Sequence, residues 1–498
     1  MSSPSPVGRR PLRRRLFGYG FATFGVATVA AIGVATISAC VGDDPAAVTT
    51  PPDGSTSNGS SGSNGSSGSS SDGGATCETR CLDTSTLSAC DGTTTTCQFD
   101  CVAEGTPHCA AMYPSGAIKP EMLTLAGTRA TTFTTTKANT ETGAIDNLRP
   151  ANDDPLKMEV KQGIGFQLAN IDDEHRIAIW VFGSFTVPLG VTVHFTSQNA
   201  VAFVAQTDAE IIGTIDLRGY SSSDVLCGLD NVGGVNVVVG GPGGGTGAYG
   251  TAGKPGPGVG GMPKTAEPYY IPGPGGAGYG APGGVGGNGK DAGYEKGGEA
   301  GAPYGNGTLV PLLGGSGGAG ARASGGGGGG AFHLVAGKKV VIGDGTNAGG
   351  INAGGCGGQA GSMGGPGGGG GSGGAVLIET PSLDLRSNGV IAANGGSGGV
   401  GGGTDGIPGE LKGTATFPPY PGGSYGASGM GGAGTQINGG NASPAPANGY
   451  SGGAGGGAVG RIRINNRTGS YTPPNGAVIS PSPSGAGAAT TFGVLDVH

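Results

Sequence analysis

From Met158 onward, apolar residues gather in short alternating runs bounded by Gly, Pro and Asn, the period-two signature of β-strands. Arg176-Ile-Ala-Ile-Trp-Val-Phe182 and Val191-Thr-Val-His-Phe195 are rich in β-branched and aromatic residues. A three-part cassette then recurs. Its first copy is Ala202–Ala205, Glu210–Ile212 and Gly213–Gly219; the second is Ala331–Val335, Lys339–Ile342 and Gly349–Gly355; the third is Ala375–Ile378, Ser382–Leu385 and Gly389–Gly395. A partial fourth copy begins at Ala458–Ile464, with Ala477–Ile479 as its second strand. The third part of each full copy reads Gly-x-Ile-x-small/Leu-x-Gly, which points alternate residues inward and puts glycine at the corners. Three short strands and tight turns are what one coil of a parallel β-helix needs. One coil cannot bury its own inner face, so the copies must stack. The pattern predicts a mainly β chain, a small parallel β-helix of triplet-strand coils with long Gly-rich insertions. The alternative is a β-sandwich with disordered Gly-rich loops.

Composition enters through those insertions. The 498 residues include 117 Gly and 34 Pro, with 41 Gly in residues 231–330 and 13 in the twenty residues 355–374. Each ordered glycine costs backbone entropy and brings no side chain to bury. There is no strict G-X-Y period, which excludes collagen. The tracts are either disordered or packed as extended strands of three residues per turn, bonded side by side through bare backbone. Three of them run straight into a first strand (Gly330-Ala331, Gly374-Ala375, Gly457-Ala458), so ordered packing is expected. It would form a broad, side-chain-poor surface.

The amino terminus reads as an export address. Arg9, Arg10, Arg13, Arg14 and Arg15 precede an uncharged run from Phe21 to Ile37, and Ile37-Ser-Ala-Cys40 follows. Basic, apolar, then small residues is the layout of a signal peptide, here residues 1–39. Seventeen apolar residues fall short of the roughly 20 a spanning helix needs. Arg13-Arg14-Arg15-Leu16-Phe17 loosely fits a twin-arginine pattern, which leaves the export route open. Ile-Ser-Ala-Cys resembles the lipobox of bacterial lipoproteins, which implies a lipid on Cys40. Val41 stands where an inner-membrane retention aspartate is absent, so the outer membrane is expected. Residues 40–76 then form the lipidated Cys and a Ser/Gly tether.

Residues 77–115 hold six cysteines, Cys77, Cys81, Cys90, Cys97, Cys101 and Cys109. In an exported chain six close cysteines predict three disulfides with fifteen possible pairings. A zinc site using the same thiols and His108 is the weaker reading, since zinc sites favour C-x2-C pairs. Residues 116–157 are a Thr-rich connector, 158–480 the repeat domain and 481–498 a tail. Cys227 and Cys356 each follow the third strand of a cassette, so stacked cassettes would let them pair.

Net charge is −7, and removing residues 1–40, with five arginines and no acid, leaves −12. That argues against nucleic acid as a partner. The glycine tracts create G-x-S-x-G matches at Ser316, Ser372 and Ser397, without the strand-to-helix turn a nucleophile elbow requires. Gly253-Lys254-Pro255 is not a phosphate-binding loop, and Gly286–Asp291 resembles a single calcium nonapeptide without a tandem copy. Asp216-Leu-Arg218 and Asp384-Leu-Arg386 are explained by alternating charges on an outward strand face. Asp172-Asp-Glu-His175 forms another polar cluster, and His194 and His333 within apolar strands read as outward-facing or hydrogen-bonded. No catalytic residue, metal site or cofactor is expected.

A lipobox, a six-Cys knob, triplet strands with long glycine tracts and the closing Gly460-Arg-Ile-Arg-Ile-Asn465 resemble the glycine-rich predicted surface lipoproteins of myxobacterium-like bacteria. The resemblance covers residues 20–498 and implies location and architecture, with little chemistry. Glycine-repeat surface proteins of mycobacteria are similar in composition only. The expectation is a surface lipoprotein with a structural, adhesive or matrix role, held to the membrane through Cys40. Extracellular polysaccharide or another surface protein is its expected partner. The alternative is a polysaccharide-binding or polysaccharide-cleaving β-helix.

Overall fold

A computed structural model describes residues 78–498 apart from 251, 264–270, 291–295, 363, 420–423, 485, 486 and 488. The signal segment, Cys40, the tether and Cys77 lie outside the described residues. The architecture is mainly β. Three sheets of eight, five and six strands dominate, and the chain visits them in rotation. One circuit runs through Arg176–Phe182, Ser184–Val187 and Thr192–Thr196. The next runs through Ala200–Ala205, Asp208–Ile211 and Thr214–Asp216. Two more follow, through Ala331–Ala336, Lys339–Ile342 and Gly349–Asn352, then Ala375–Glu379, Ser382–Leu385 and Gly389–Ala392. Each strand pairs in parallel with the strand at the same position of the next circuit. That pairing of like with like is coil-upon-coil stacking, and a sandwich lacks it.

Register follows from burial. Val193, Ile215, Ile351, Ile391 and Ile479 stand directly above one another in the six-stranded sheet. Trp180, Phe203, Leu334, Ile378, Ile464 and Phe492 do the same in the eight-stranded sheet. A slip of one residue would turn such a row outward, so the apolar alternation specifies the stack. Aromatics fill the early coils, where Phe133, Phe182, Phe185, Phe195 and Trp180 surround Phe203. Smaller aliphatic residues fill the later ones.

The stack differs from the sequence reading in three places. A full coil, Arg176 to Thr196, precedes the first recognised cassette; its middle strand Ser-Phe-Thr-Val is too short and polar to stand out. Val478–Ser480 belongs to the third position, paired with Gly389–Ala392, because the last circuit bypasses the five-stranded sheet. There Tyr471 covers the end, its hydroxyl accepting the Leu385 amide at 3.1 Å. The stack also extends beyond 158–480. Ala130–Thr132 and Thr136–Asn139 of the connector pair in parallel with the first coil. Thr490–Val494 of the tail is the last strand of the eight-stranded sheet.

All three long insertions leave from one corner, between a third strand and the next first strand. The glycine tracts there are ordered. Gly355, Gly358 and Gly361 donate to Asn394, Ser397 and Val400, a bond every third residue on both chains. That is the three-residue turn of a polyproline-II-type strand. The run 367–374 is the centre of the bundle. Its amides point in rotation at three neighbours: Gly368, Gly371 and Gly374 donate to Gln359, Cys356 and Ala353, Gly369 and Ser372 to Ala319 and Ser316, and Gly370 and Gly373 to Gly455 and Ala458. Its carbonyls accept from three further runs, through Gly326, Gly396 and Ala277. Six neighbours satisfy nearly every backbone group without side chains. The consequence overturns one expectation. These glycines are buried against each other, so they form an interior and not a bare surface.

Candidate functional site

The outer face of the eight-stranded sheet is the least ordinary part of the molecule. Because the sheet alternates, His333 and Glu379 point away from the inner core, yet both are 2% exposed. Residues Met112, Ile118, Met122, Leu309 and Leu312 cover this face and make a second apolar layer. A carboxylate in such a place must be fully hydrogen-bonded. Glu379 accepts from the Ser115 amide at 2.8 Å, the Ser115 hydroxyl at 2.7 Å, Asn465 Nδ2 at 2.8 Å and His333 Nε2 at 2.8 Å. Arg463 in turn donates to Asn465 Oδ1 at 2.7 Å. Burial pushes the Glu379 carboxyl up, but the His333 bond and charge and the Ser115 donors outweigh it and hold it at about 2.

The arrangement contains serine, histidine and glutamate in the wrong order for nucleophilic catalysis. The Ser115 hydroxyl donates to the carboxylate, not to an imidazole, so no base stands ready to take its proton. Glu379 is the hub that ties three distant segments together. An ionised carboxylate only accepts, so His333 Nε2 carries the hydrogen. Above the cluster lies a cavity of about 460 Å³ lined by Ser115, Asn170, Ile177, Leu309, Leu312 and His333. A second hollow of about 710 Å³ adjoins it across Ile171 and Leu312, walled by Arg176, Asn199, Lys254 and Tyr304. Burial raises the Tyr304 phenol, whose hydroxyl donates to the Gly314 carbonyl.

Glu379→Gln should cost about 3 kcal/mol, because it leaves buried donors without an ionised acceptor. The folded carboxyl sits near 2, below the ordinary 4.5, so its contribution is complete above about 4.5 and lost as pH falls toward 2. Thermal melts of wild type and Glu379→Gln should therefore differ at pH 6 and converge near pH 2.5. A gap that stays constant across that range would contradict the assignment.

The sequence-singled residues scatter. Cys81 pairs with Cys101 and Cys97 with Cys109; Cys90 is disulfide-bonded as well. Cys227 and Cys356 form a disulfide with Cα atoms 5.5 Å apart. Asp216 is not on a solvated face: it is 3% exposed and pairs with Arg218 at 2.6 Å. Asp384 is half-exposed on another sheet, bonded to Lys339 and Arg386. Asp172 and His175 pair with each other in an exposed turn. His194 stacks on Tyr220, its Nδ1 unbonded among the described residues, and burial lowers its imidazole. Ser316, Ser372 and Ser397 are buried in the glycine bundle. Among the described residues no group of three or more His, Cys, Asp or Glu is placed to hold a metal.

The His333–Glu379–Ser115 cluster was not found from sequence. Its only signal is a glutamate closing an otherwise apolar strand, Ala375-Val-Leu-Ile-Glu379, at the level of Val335 in the coil below. Ser115 lies 264 residues away, and no local pattern links it. Comparison with known protein families, curated proteins and solved structures finds no match for this chain.

Proposed function

We propose that this chain is an exported, lipid-anchored surface protein with a structural, adhesive or matrix role. The observation that carries the reading is the Cys227–Cys356 disulfide, which joins two insertions 129 residues apart within the glycine bundle. Such bonds form and persist in oxidising compartments and are rare in reducing ones. The disulfides of the cysteine knob support the same address, and so does Ile37-Ser-Ala-Cys40. A rigid, hydrogen-bonded bundle suits display more than turnover. Hydrolytic chemistry gains no support, since Asp216 and Asp384 stand on different sheets and each is bonded to its own arginine. Outer membrane remains the proposed location. Palmitate labelling of cells tests the anchor: wild type should take up label, and Cys40→Ser should lose it and leave the membrane fraction. Protease added to intact cells tests display. A chain that stays unlabelled and soluble would refute the proposal.

A further inference from the structure

We propose that the outer end of the glycine bundle is a binding site for an acidic polysaccharide; this rests on the surface-protein reading above and specifies its ligand. Each glycine run starts at the corner of the coil stack, so its far end is set by its length. Eight residues from Ala323 to Gly330, at about 3.1 Å each, put the preceding turn roughly 25 Å from the strand at Ala331. The turns at 321–322, 364–366 and 401–405 lie at this outer end, as does the start of the run 451–460.

Inside the bundle the non-glycine positions are mostly small, but at its end they change character. Gly250 donates to Gly320 at 2.9 Å, which puts the turn that carries Tyr249 at the same end of the bundle as Arg322. The Arg322 stem lies over Gly365, where a Cβ would stand 3.0 Å from Cδ. Tyr450 lies over the neighbouring Gly364, with 3.7 Å to the same hypothetical atom. Tyr425 follows, its ring 6.0 Å from that of Tyr450, packed on Gly401 and Gly402 so closely that any Cβ there would strike it. The glycines of these turns thus serve to seat rings. Tyr450 is 49% exposed, and Arg322 is exposed with no ion pair among the described residues.

Tyrosine rings with one apolar face and a hydroxyl edge suit the C–H faces and hydroxyls of a pyranose. A free guanidinium suits a sugar carboxylate, through paired hydrogen bonds. Here the centre is two hydroxyl-bearing rings over bare backbone, mounted on a rigid scaffold, as a polyhydroxylated chain needs. The turns present recognition groups and the bundle fixes their spacing.

The test uses the full-length chain in detergent, with alginate as a uronic-acid polymer and dextran as a neutral one. Alginate binding by wild type is expected to fall about tenfold in Tyr450→Ala. Arg322→Ala should lose a similar factor on alginate, together with its salt sensitivity, and change dextran little. Both side chains are exposed, so unchanged melting temperature will show that the variants fold. Alginate binding that survives in the Tyr450→Ala/Arg322→Ala double variant overturns the proposal. So does absence of alginate binding when intact-cell proteolysis shows the chain on the surface, including the case in which a purified surface protein binds through Tyr450 instead. A chain that proves inaccessible on intact cells, yet binds alginate through these residues when purified, refutes the surface reading and leaves the site standing.

Discussion

Gly371→Ala is expected to destroy the glycine bundle, at a cost of about 3 kcal/mol or more, although alanine is the mildest substitution available. A Cβ on Gly371 would stand 2.1 Å from the Gly327 carbonyl oxygen and 2.6 Å from its carbon. Both are backbone atoms, so no side chain can swing aside. Gly327 has little room to retreat, because a Cβ built on it would in turn stand 2.0 Å from the Val239 oxygen. Shifting one run also breaks bonds on its other sides, since the amide of Gly371 donates to Cys356 while its carbonyl accepts from Gly396. Two other changes serve as contrasts, one in the same run and one in a turn outside the bundle. Ser372→Ala removes the hydroxyl that accepts the Ser316 amide at 2.9 Å and should cost about 1 kcal/mol, the price of one buried hydrogen bond. Gly345→Ala meets nothing within 4 Å, and at φ +87° only backbone strain of about 1–2 kcal/mol opposes it. Denaturant midpoints should rank the three accordingly. If Gly371→Ala melts like wild type, the close-packed bundle is wrong.

That ranking marks the limit of what the sequence could disclose. The coil stack was legible because its signal is local: Gly-x-Ile-x-small-x-Gly repeats three times, and the isoleucines at 215, 351 and 391 do lie in one column. The middle strand Ser184–Val187 escaped because four residues with two polar ones carry no periodic signal above a loop. The glycine tracts could be read for their rise per residue, but not for which run lies beside which. Neighbours such as 326 and 369, or 370 and 455, are selected by the corner from which each insertion leaves, not by any residue in it. With most positions glycine, pairing has only a sparse side-chain code, such as the Ser372 hydroxyl on the Ser316 amide. The Glu379 cluster failed for the complementary reason, since its hydrogen-bonding partners at 115, 333 and 465 come from segments that only the finished stack brings together.

That sparse side-chain code gives the buried disulfide its weight. Removing it with Cys227→Ala/Cys356→Ala should lower stability by about 5 kcal/mol, the chain-entropy value for a loop of this size. The bond spans 129 residues, and Cys356 is wholly buried in its run, its amide donating to Gly327 at 2.7 Å. The run 353–359 is bonded to the central run 367–374, so the crosslink ties the first insertion to the middle of the bundle. Runs that recognise one another mainly through identical backbone can dock shifted by one three-residue turn at small local cost. A covalent link at one point excludes those registers in the unfolded chain and during assembly. The cysteine knob offers the internal comparison. Cys81–Cys101 and Cys97–Cys109 close loops of 20 and 12 residues. Breaking either should cost about 3 kcal/mol. The loss should fall on the knob, because the strands those cysteines serve pair only with each other. Hydrogen exchange separates the two outcomes. In the Cys227/Cys356 variant the amides of 326–330, 355–361 and 367–374 should exchange faster together, while the strand Ile177–Val181 keeps its protection. Uniform loss across coil and bundle would mean that the disulfide stabilises the whole chain and does not specify how the glycine runs align.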